Sequence, residues 1–190
     1  MDKTANKLSD AIGENENRII VLLPAYNEEG KIGKVVSRIR KSRKLDFPID
    51  ILVISDGSTD GTVAEAKKEG ARVIEKKKNR GVGAALRSGF NYARENNCDI
   101  AVVMAGDNQD NPDEIPEVIA PIILGNYDFV QGSRRLYQRQ TVNIPLFRRV
   151  TTKAYSLIFS LLMRRKITDG TNGFRALRTA ILADPRIDLD

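Results

Sequence analysis

IDILVISDGSTDGT, residues Ile49–Thr62, joins an unbroken apolar run to a polar cluster that carries two glycines. Four to eight apolar, β-branched residues bounded by turn formers read as a buried strand. Ser58-Thr59-Asp60 can cap the helix that follows, Thr62–Glu69, which Gly70 closes. The same strand–loop–helix unit recurs on both sides. Upstream, Ile19–Leu23 (IIVLL) reads as a strand ended by Pro24, and Ile32, Val35, Val36 and Ile39 fall at helical spacing within Lys31–Lys41. Downstream come a strand at Ala71–Glu75, a helix at Gly83–Asn96 and a strand at Asp99–Met104. A helix at Pro116–Leu124, in spite of Pro121, and a strand at Tyr127–Gly132 complete the series. This alternation specifies an α/β domain: a Rossmann-like, mostly parallel sheet with helices on both faces. In such sheets ligands bind beyond the carboxyl ends of the strands.

The chain has 190 residues, of which 41% are hydrophobic, enough for one domain with a real core. Residues 1–17 are polar, lack the apolar centre of a signal peptide and read as a flexible leader; the domain is assigned to 18–190. There is no histidine and one cysteine, Cys98. This excludes His-based triads and an intrachain disulfide framework, and it directs any metal chemistry toward hard, oxygen-liganded ions. Net charge is +6, unevenly spread: eleven Lys and Arg lie between Arg134 and Arg178 against one acid, Asp169. Such a region points to an anionic partner. Nucleic acid is disfavoured, because the basic stretch lacks interleaved aromatics and a recognised binding module.

Four polar clusters follow strands. PAYNEE (Pro24–Glu29) offers Tyr26 as a flat stacking face and Asn27 or Glu28 to read donors on a base or ribose; taken alone, a strand-to-helix loop with Asn27 as helix cap is the favoured explanation. In SDGSTDGT, Asp56 can accept from a base N–H or a ribose hydroxyl, with Gly57 allowing close approach. KNRGVGAALRSGF (Lys78–Phe90) is neither a dinucleotide fingerprint nor a P-loop, but its glycines with Asn79 and Arg80 suit a phosphate or nucleotide. MAGDNQD (Met104–Asp110) places Asp107 and Gln109 two residues apart, which on an extended segment turns both toward one ion. An Asp-Asn turn with solvated side chains is the competing explanation.

PAYNEE, DGSTDGT, NRGVGAALRSGF, GDNQD, QGSR and DGTNGFRALR follow in the order seen in inverting family 2 glycosyltransferases of the GT-A fold, and the chain resembles that family from Ile19 to Arg178. Within it, the branch that glycosylates dolichyl and other polyprenyl phosphates looks most similar. The resemblance implies that Pro24, Tyr26 and Glu28 line a nucleoside pocket, with Asp56 on the base and Asn79, Arg80 and Gly83 also on the donor. It implies Asp107 and Gln109 as ligands of Mg²⁺ or Mn²⁺ on the donor diphosphate. Arg134 would bind phosphate at the reacting centre, Asp169 would face the acceptor, and Arg175 would meet the lipid phosphate. The donor would be GDP-mannose or UDP-glucose. The chain departs from the family at Ala105, where Asp-x-Asp is usual, at Val82, where Gly-Lys-Gly is common, and at Asn172, where Ser is usual. It also stops at Asp190, where family domains ordinarily continue.

The segment 144–166 bears independently on the acceptor. Phe147, Val150, Ala154, Leu157, Ile158 and Leu161 form an apolar helical stripe flanked by Arg148, Arg149, Lys153 and Arg164-Arg165-Lys166. A short apolar helix with basic ends can lie in a membrane interface, and a core or homo-oligomer contact is the alternative. The expectation is a peripheral protein at the cytoplasmic face of a membrane. An Arg-rich region with one acid also favours a phosphate acceptor, already ionised at neutral pH, over a hydroxyl that needs a base. Two rivals remain: transfer to a soluble or polysaccharide hydroxyl, and a nucleotide-sugar-binding protein that has lost catalysis.

Overall fold

In the computed structural model, which describes residues 3–14, 16–133, 169 and 172–187, the sheet is built around β1 (Ile19–Ala25). Its neighbours are β2 (Ile49–Ser55) on one side and β4 (Ile100–Val103) on the other, both parallel to it. β3 (Arg72–Glu75) adds in parallel outside β2. Beyond β4 lies β6 (Arg175–Arg178), antiparallel, and beyond that β5 (Phe129–Gln131), so the order is β3-β2-β1-β4-β6-β5. The expected mostly parallel α/β sheet is present; the antiparallel insertion of β6 was not foreseen.

Period-two alternation divides the strands between two apolar layers. Val21 and Leu23 of β1, Ile51 and Val53 of β2 and Val102 of β4 face one cluster. It is closed by Val35, Val36 and Ile39 of α2 (Ile32–Lys41), Ala66 of α3 (Thr62–Lys68) and Val118, Ile119 and Ile122 of α5 (Ile115–Gly125). Ile20, Leu22, Leu52, Ile54 and Ala101 face the other cluster, under Ala85, Leu86 and Ala93 of α4 (Val82–Glu95). Helices thus cover both faces, as a buried parallel sheet requires.

Two expectations need correction. Residues 1–17 are not a leader of little structure, because Lys3–Glu14 forms a helix, α1. Leu8 and Ile12, four residues apart and so on one face, are 1% and 2% exposed in the same cluster as α5. Pro24 does not end β1, which runs on to pair Pro24 with Ile54 and Ala25 with Ser55. The β4 ladder finishes with the Met104 amide donating to the Leu22 carbonyl at 3.1 Å. Position 24, of the same parity as 22, points its nitrogen toward the side where β4 has already left, so the missing N–H forfeits no ladder bond.

Candidate active site

β1, β2 and β4 are adjacent and parallel, so their carboxyl ends open at one edge of the sheet. The loops that leave them are joined by side-chain-to-backbone bonds. The Asn27 amide donates to Ser58 Oγ at 3.1 Å, and Asn27 Oδ1 accepts from the Thr59 amide at 2.9 Å. The Glu28 amide donates to Thr62 Oγ1 at 2.8 Å, and the Glu29 amide donates to Asp60 Oδ2 at 3.1 Å. Glu65 on α3 accepts the Gly30 amide with both carboxylate oxygens, at 2.8 and 2.9 Å. Asn27 therefore locks the first loop to the second instead of capping α2. Thr62, Glu29 and Glu65, none of them singled out from the sequence, complete the lock. They escape a motif reading because each bonds backbone more than 30 residues away.

Asp56, 3% exposed, stands at the end of β2. Its Oδ2 accepts from the amides of Arg80 at 3.0 Å and Gly81 at 2.7 Å, fixing the glycine-rich loop over the end of the sheet. Its Oδ1 is buried with no hydrogen-bond partner. A buried carboxylate oxygen without a donor is costly, and it retains the capacity to accept an N–H or O–H. Gly57 serves a different end from the ligand approach expected of it. At φ 77°, a Cβ there would lie 2.6 Å from the Lys78 carbonyl carbon and the Asn79 nitrogen, so the glycine admits the 78–81 loop itself. Asn79 Oδ1 accepts from the Gly81 amide at 2.9 Å, and Gly83 is exposed in the first turn of α4. A basic cleft of about 430 Å³, lined by Lys76, Lys77, Lys78 and Arg80, opens beside this loop.

Tyr26 is 47% exposed, leaving a ring face for stacking. Glu28 Oε2 meets Lys31 Nζ at 2.8 Å, and this bond and charge raise the Lys31 pKa, with a smaller push from Asp107. The loop after β4 touches the first: a Cβ on Gly106 would lie 3.0 Å from the Pro24 carbonyl oxygen. The four loops thus meet at the carboxyl edge of the sheet.

Asp107 and Gln109 are not on an extended segment, because Asn108 between them has φ 67°. The residues turn instead, and Asp107 Oδ1 accepts from the Gln109 amide at 3.0 Å. The argument that alternation aims both side chains at one ion therefore fails, although both remain on the crevice loop. Asp107 Oδ2 has no partner among the described residues, and no group of three carboxylate or thiol side chains converges there. One free carboxylate oxygen with an amide oxygen nearby fits a hard ion that takes its other ligands from phosphate and water, as Mg²⁺ and Mn²⁺ do.

On the far side of β4, Gln131 and Arg175 pair at the crevice end of β5 and β6. Gln131 Nε2 donates to the carbonyls of Asp169 at 3.2 Å and Asn172 at 2.8 Å. Asn172 returns bonds to Gly132 O and from the Phe174 amide, so its replacement of the usual Ser is structurally satisfied. Asp169 is 4% exposed. Arg175 Nε is buried with no hydrogen-bond partner among the described residues. Arg134 and segment 144–166 lie outside the described residues.

The doubly covered, mostly parallel sheet, with an acidic anchor and a glycine-rich loop at its carboxyl edge, is an α/β architecture shared with GT-A glycosyltransferases. The model of glycosyl transferase family 2 matches residues 20–184, and the chain belongs to that family. It is similar to a UDP-N-acetylglucosamine–dolichyl-phosphate N-acetylglucosaminyltransferase of Methanococcus voltae, 33% identical over 86% of this chain and 70% of that one. A dolichol-phosphate mannosyltransferase of Pyrococcus furiosus is 31% identical over 87% of this chain and 47% of its own length. Among solved structures, glucosyl-3-phosphoglycerate synthase from Mycobacterium tuberculosis with uridine diphosphate superposes with a TM-score of 0.73, 25% identical, covering 96% of this chain and 63% of that one. The same enzyme with Mn²⁺, UDP-glucose and phosphoglyceric acid gives 0.72 at 25% identity, covering 94% and 61%. The chain thus spans a little under two thirds of those solved chains, and 65% of an uncharacterised Methanocaldococcus jannaschii protein that is 33% identical over 85% of this chain.

Proposed function

We propose that this chain is the catalytic region of a metal-dependent, inverting glycosyltransferase that moves a hexose from a nucleotide sugar to a polyprenyl phosphate. The observation that carries the donor half is Asp56, held by two amides with its second oxygen buried and unpartnered. A nucleobase N–H would satisfy that oxygen while Tyr26 stacks on the ring. Asp107 and Gln109 would hold Mg²⁺ or Mn²⁺, which neutralises charge on the departing diphosphate. Arg134 would add a cation there. The acceptor half is supported by the dolichyl-phosphate relatives and by Arg175, a half-buried cation at the crevice end whose Nε has no hydrogen-bond partner among the described residues. A phosphate monoester is ionised at neutral pH, so Arg175 need only orient it for in-line attack at the anomeric carbon, with Asp169 facing the acceptor side. No helix among the described residues is long and apolar enough to cross a membrane. Segment 144–166 is proposed as the peripheral contact with the cytoplasmic face.

The test is transfer of radiolabelled sugar into a butanol-extractable lipid, offering GDP-mannose and UDP-glucose separately with polyprenyl phosphate, and Mn²⁺ or EDTA. Metal-dependent label in the lipid supports the reading and names the donor. Donor binding without turnover under any metal selects the non-catalytic rival. A soluble acceptor is the second reading, favoured by the likeness to glucosyl-3-phosphoglycerate synthase. Loss of transfer in Asp169→Asn with full tolerance of Arg175→Ala would select it.

A further inference from the structure

Away from the crevice, α2 presents Lys34, Arg38 and Lys41 along one exposed face, at spacings of four and three. Arg43 and Lys44 continue the face, and together the five cations line a groove of about 790 Å³ between α2 and residues 108–113. Among the described residues none of the five forms an ion pair. The carboxylate in the groove, Asp113, has Oδ1 taken by Ser42 Oγ at 2.6 Å. Five converging cations against the single carboxylate of Asp113 leave the groove, among the described residues, with a net positive potential.

Arg38 joins this groove to the crevice. Its Nη1 donates to Asn108 Oδ1 at 2.7 Å and to the Asp110 carbonyl at 3.4 Å, and Nη2 donates to Asn111 Oδ1 at 3.3 Å. Each of these acceptors is neutral, whereas guanidinium bonds to ionised oxygen are roughly twice as strong as neutral ones. Asn108 sits between Asp107 and Gln109, so whatever draws Arg38 away loosens the loop that carries both.

We propose that this groove binds a phosphorylated anion at a site separate from the nucleotide crevice, and that the anion competes with Asn108 and Asn111 for Arg38. The binding half stands on the groove alone. The consequence for transfer rests on the reading of Asp107 and Gln109 as ligands of the donor's metal. Either a soluble polyphosphate or a phospholipid headgroup carries the required chemistry.

The test uses the full chain in EDTA, titrated in one arm with inorganic pyrophosphate and in the other with phosphatidylglycerol vesicles, against the K41Q/K44Q variant. Two basic residues against an anionic bilayer are worth about 30-fold in partitioning, so the variant should lose about that much in the vesicle arm if the source is lipid. A similar loss for pyrophosphate alone identifies a soluble ligand. In either case the backbone amides of Lys41 and Asn108 should shift together in ¹H–¹⁵N spectra of the wild type. Binding equal in wild type and variant overturns the site; shifts at Lys41 without any at Asn108 overturn the competition for Arg38. UDP binding is measured in parallel: if wild type and variant both fail to bind UDP, the donor reading fails while the groove stands.

Discussion

The Asp56 carboxylate and the Gly81 amide, 25 residues apart in sequence, meet at 2.7 Å across the end of the sheet. One oxygen therefore organises the glycine-rich loop, and the other is left for a ligand. Asp56→Asn keeps one acceptor for the loop but replaces the charge and half of the acceptor capacity. Its UDP affinity should fall by at least about tenfold, since bonds to charged groups are worth around 1.5–3 kcal/mol. Calorimetric titration of the folded variant checks this; unchanged affinity would remove Asp56 from the donor site.

Gly57→Ala should damage stability and donor binding together. The added methyl meets backbone 2.6 Å away at a residue with φ 77°, so the 78–81 loop must move off Asp56. Overpacking of this kind costs about 1–3 kcal/mol. Urea denaturation reads the loss, and a variant as stable as wild type would show that the two loops do not touch in solution.

Burial alone would raise the Asp60 pKa, but bonds from the Thr62 hydroxyl, the Thr62 amide and the Glu29 amide hold it below the usual aspartate value. Because the folded value is depressed, the contribution is complete above the unfolded pKa of about 3.9 and drains away as pH falls through the lower folded value. The stability gap between wild type and Asp60→Asn should therefore be widest near neutrality and narrow below pH ~4. Urea midpoints at several pH values test it, and a gap that grows toward acid would reverse the sign of the argument.

Burial raises the Cys98 thiol pKa, with the nearby Asp50 and Asp99 adding to the shift against Arg18. The residue is 3% exposed, and its carbonyl accepts from Thr179 Oγ1. Native protein should resist a thiol-specific chromophore at pH 8 and become fully labelled in urea. Rapid native labelling would mean that the α4 layer opens readily.

Asp107→Ala should abolish metal-stimulated transfer while leaving the melting temperature within a few degrees, because the Asp107 hydrogen bond among the described residues lies within its own loop, to the Gln109 amide. Retained Mn²⁺ stimulation would move the metal elsewhere.

Apolar runs made most of the sheet readable in the sequence. IIVLL, IDILVIS and the run to Val103 each became a strand, because buried parallel strands demand β-branched residues on both faces. Helix α1 was hidden by composition: Leu8 and Ile12, its two large apolar residues, are enough to dock it but too few to stand out among polar ones. β6 was hidden differently. Arg175-Ala-Leu-Arg178 carries a partner-dependent strand whose place between β4 and β5 no local pattern encodes. At the site, polar clusters at strand exits were legible as ligand-binding loops. Their mutual bonds, Asn27 to Thr59 and Arg38 to Asn108 among them, span 32 and 70 residues and leave no trace in spacing.

The antiparallel seat of β6 also bears on how the chain is made. β4 leaves the ribosome long before Arg175–Arg178, which must later pair with its outer edge. During that interval a nascent chain can assemble β3, β2, β1 and β4, yet it displays an unpaired rim at β4 of the kind that templates association with other chains. Closure of that rim depends on a contact of high sequence separation, which makes it a slow step. The docking of Arg175–Arg178, not its synthesis, therefore ends the exposure of the β4 rim, and Arg178 ties the docked strand to α5 through its bond to the Ile122 carbonyl at 2.6 Å.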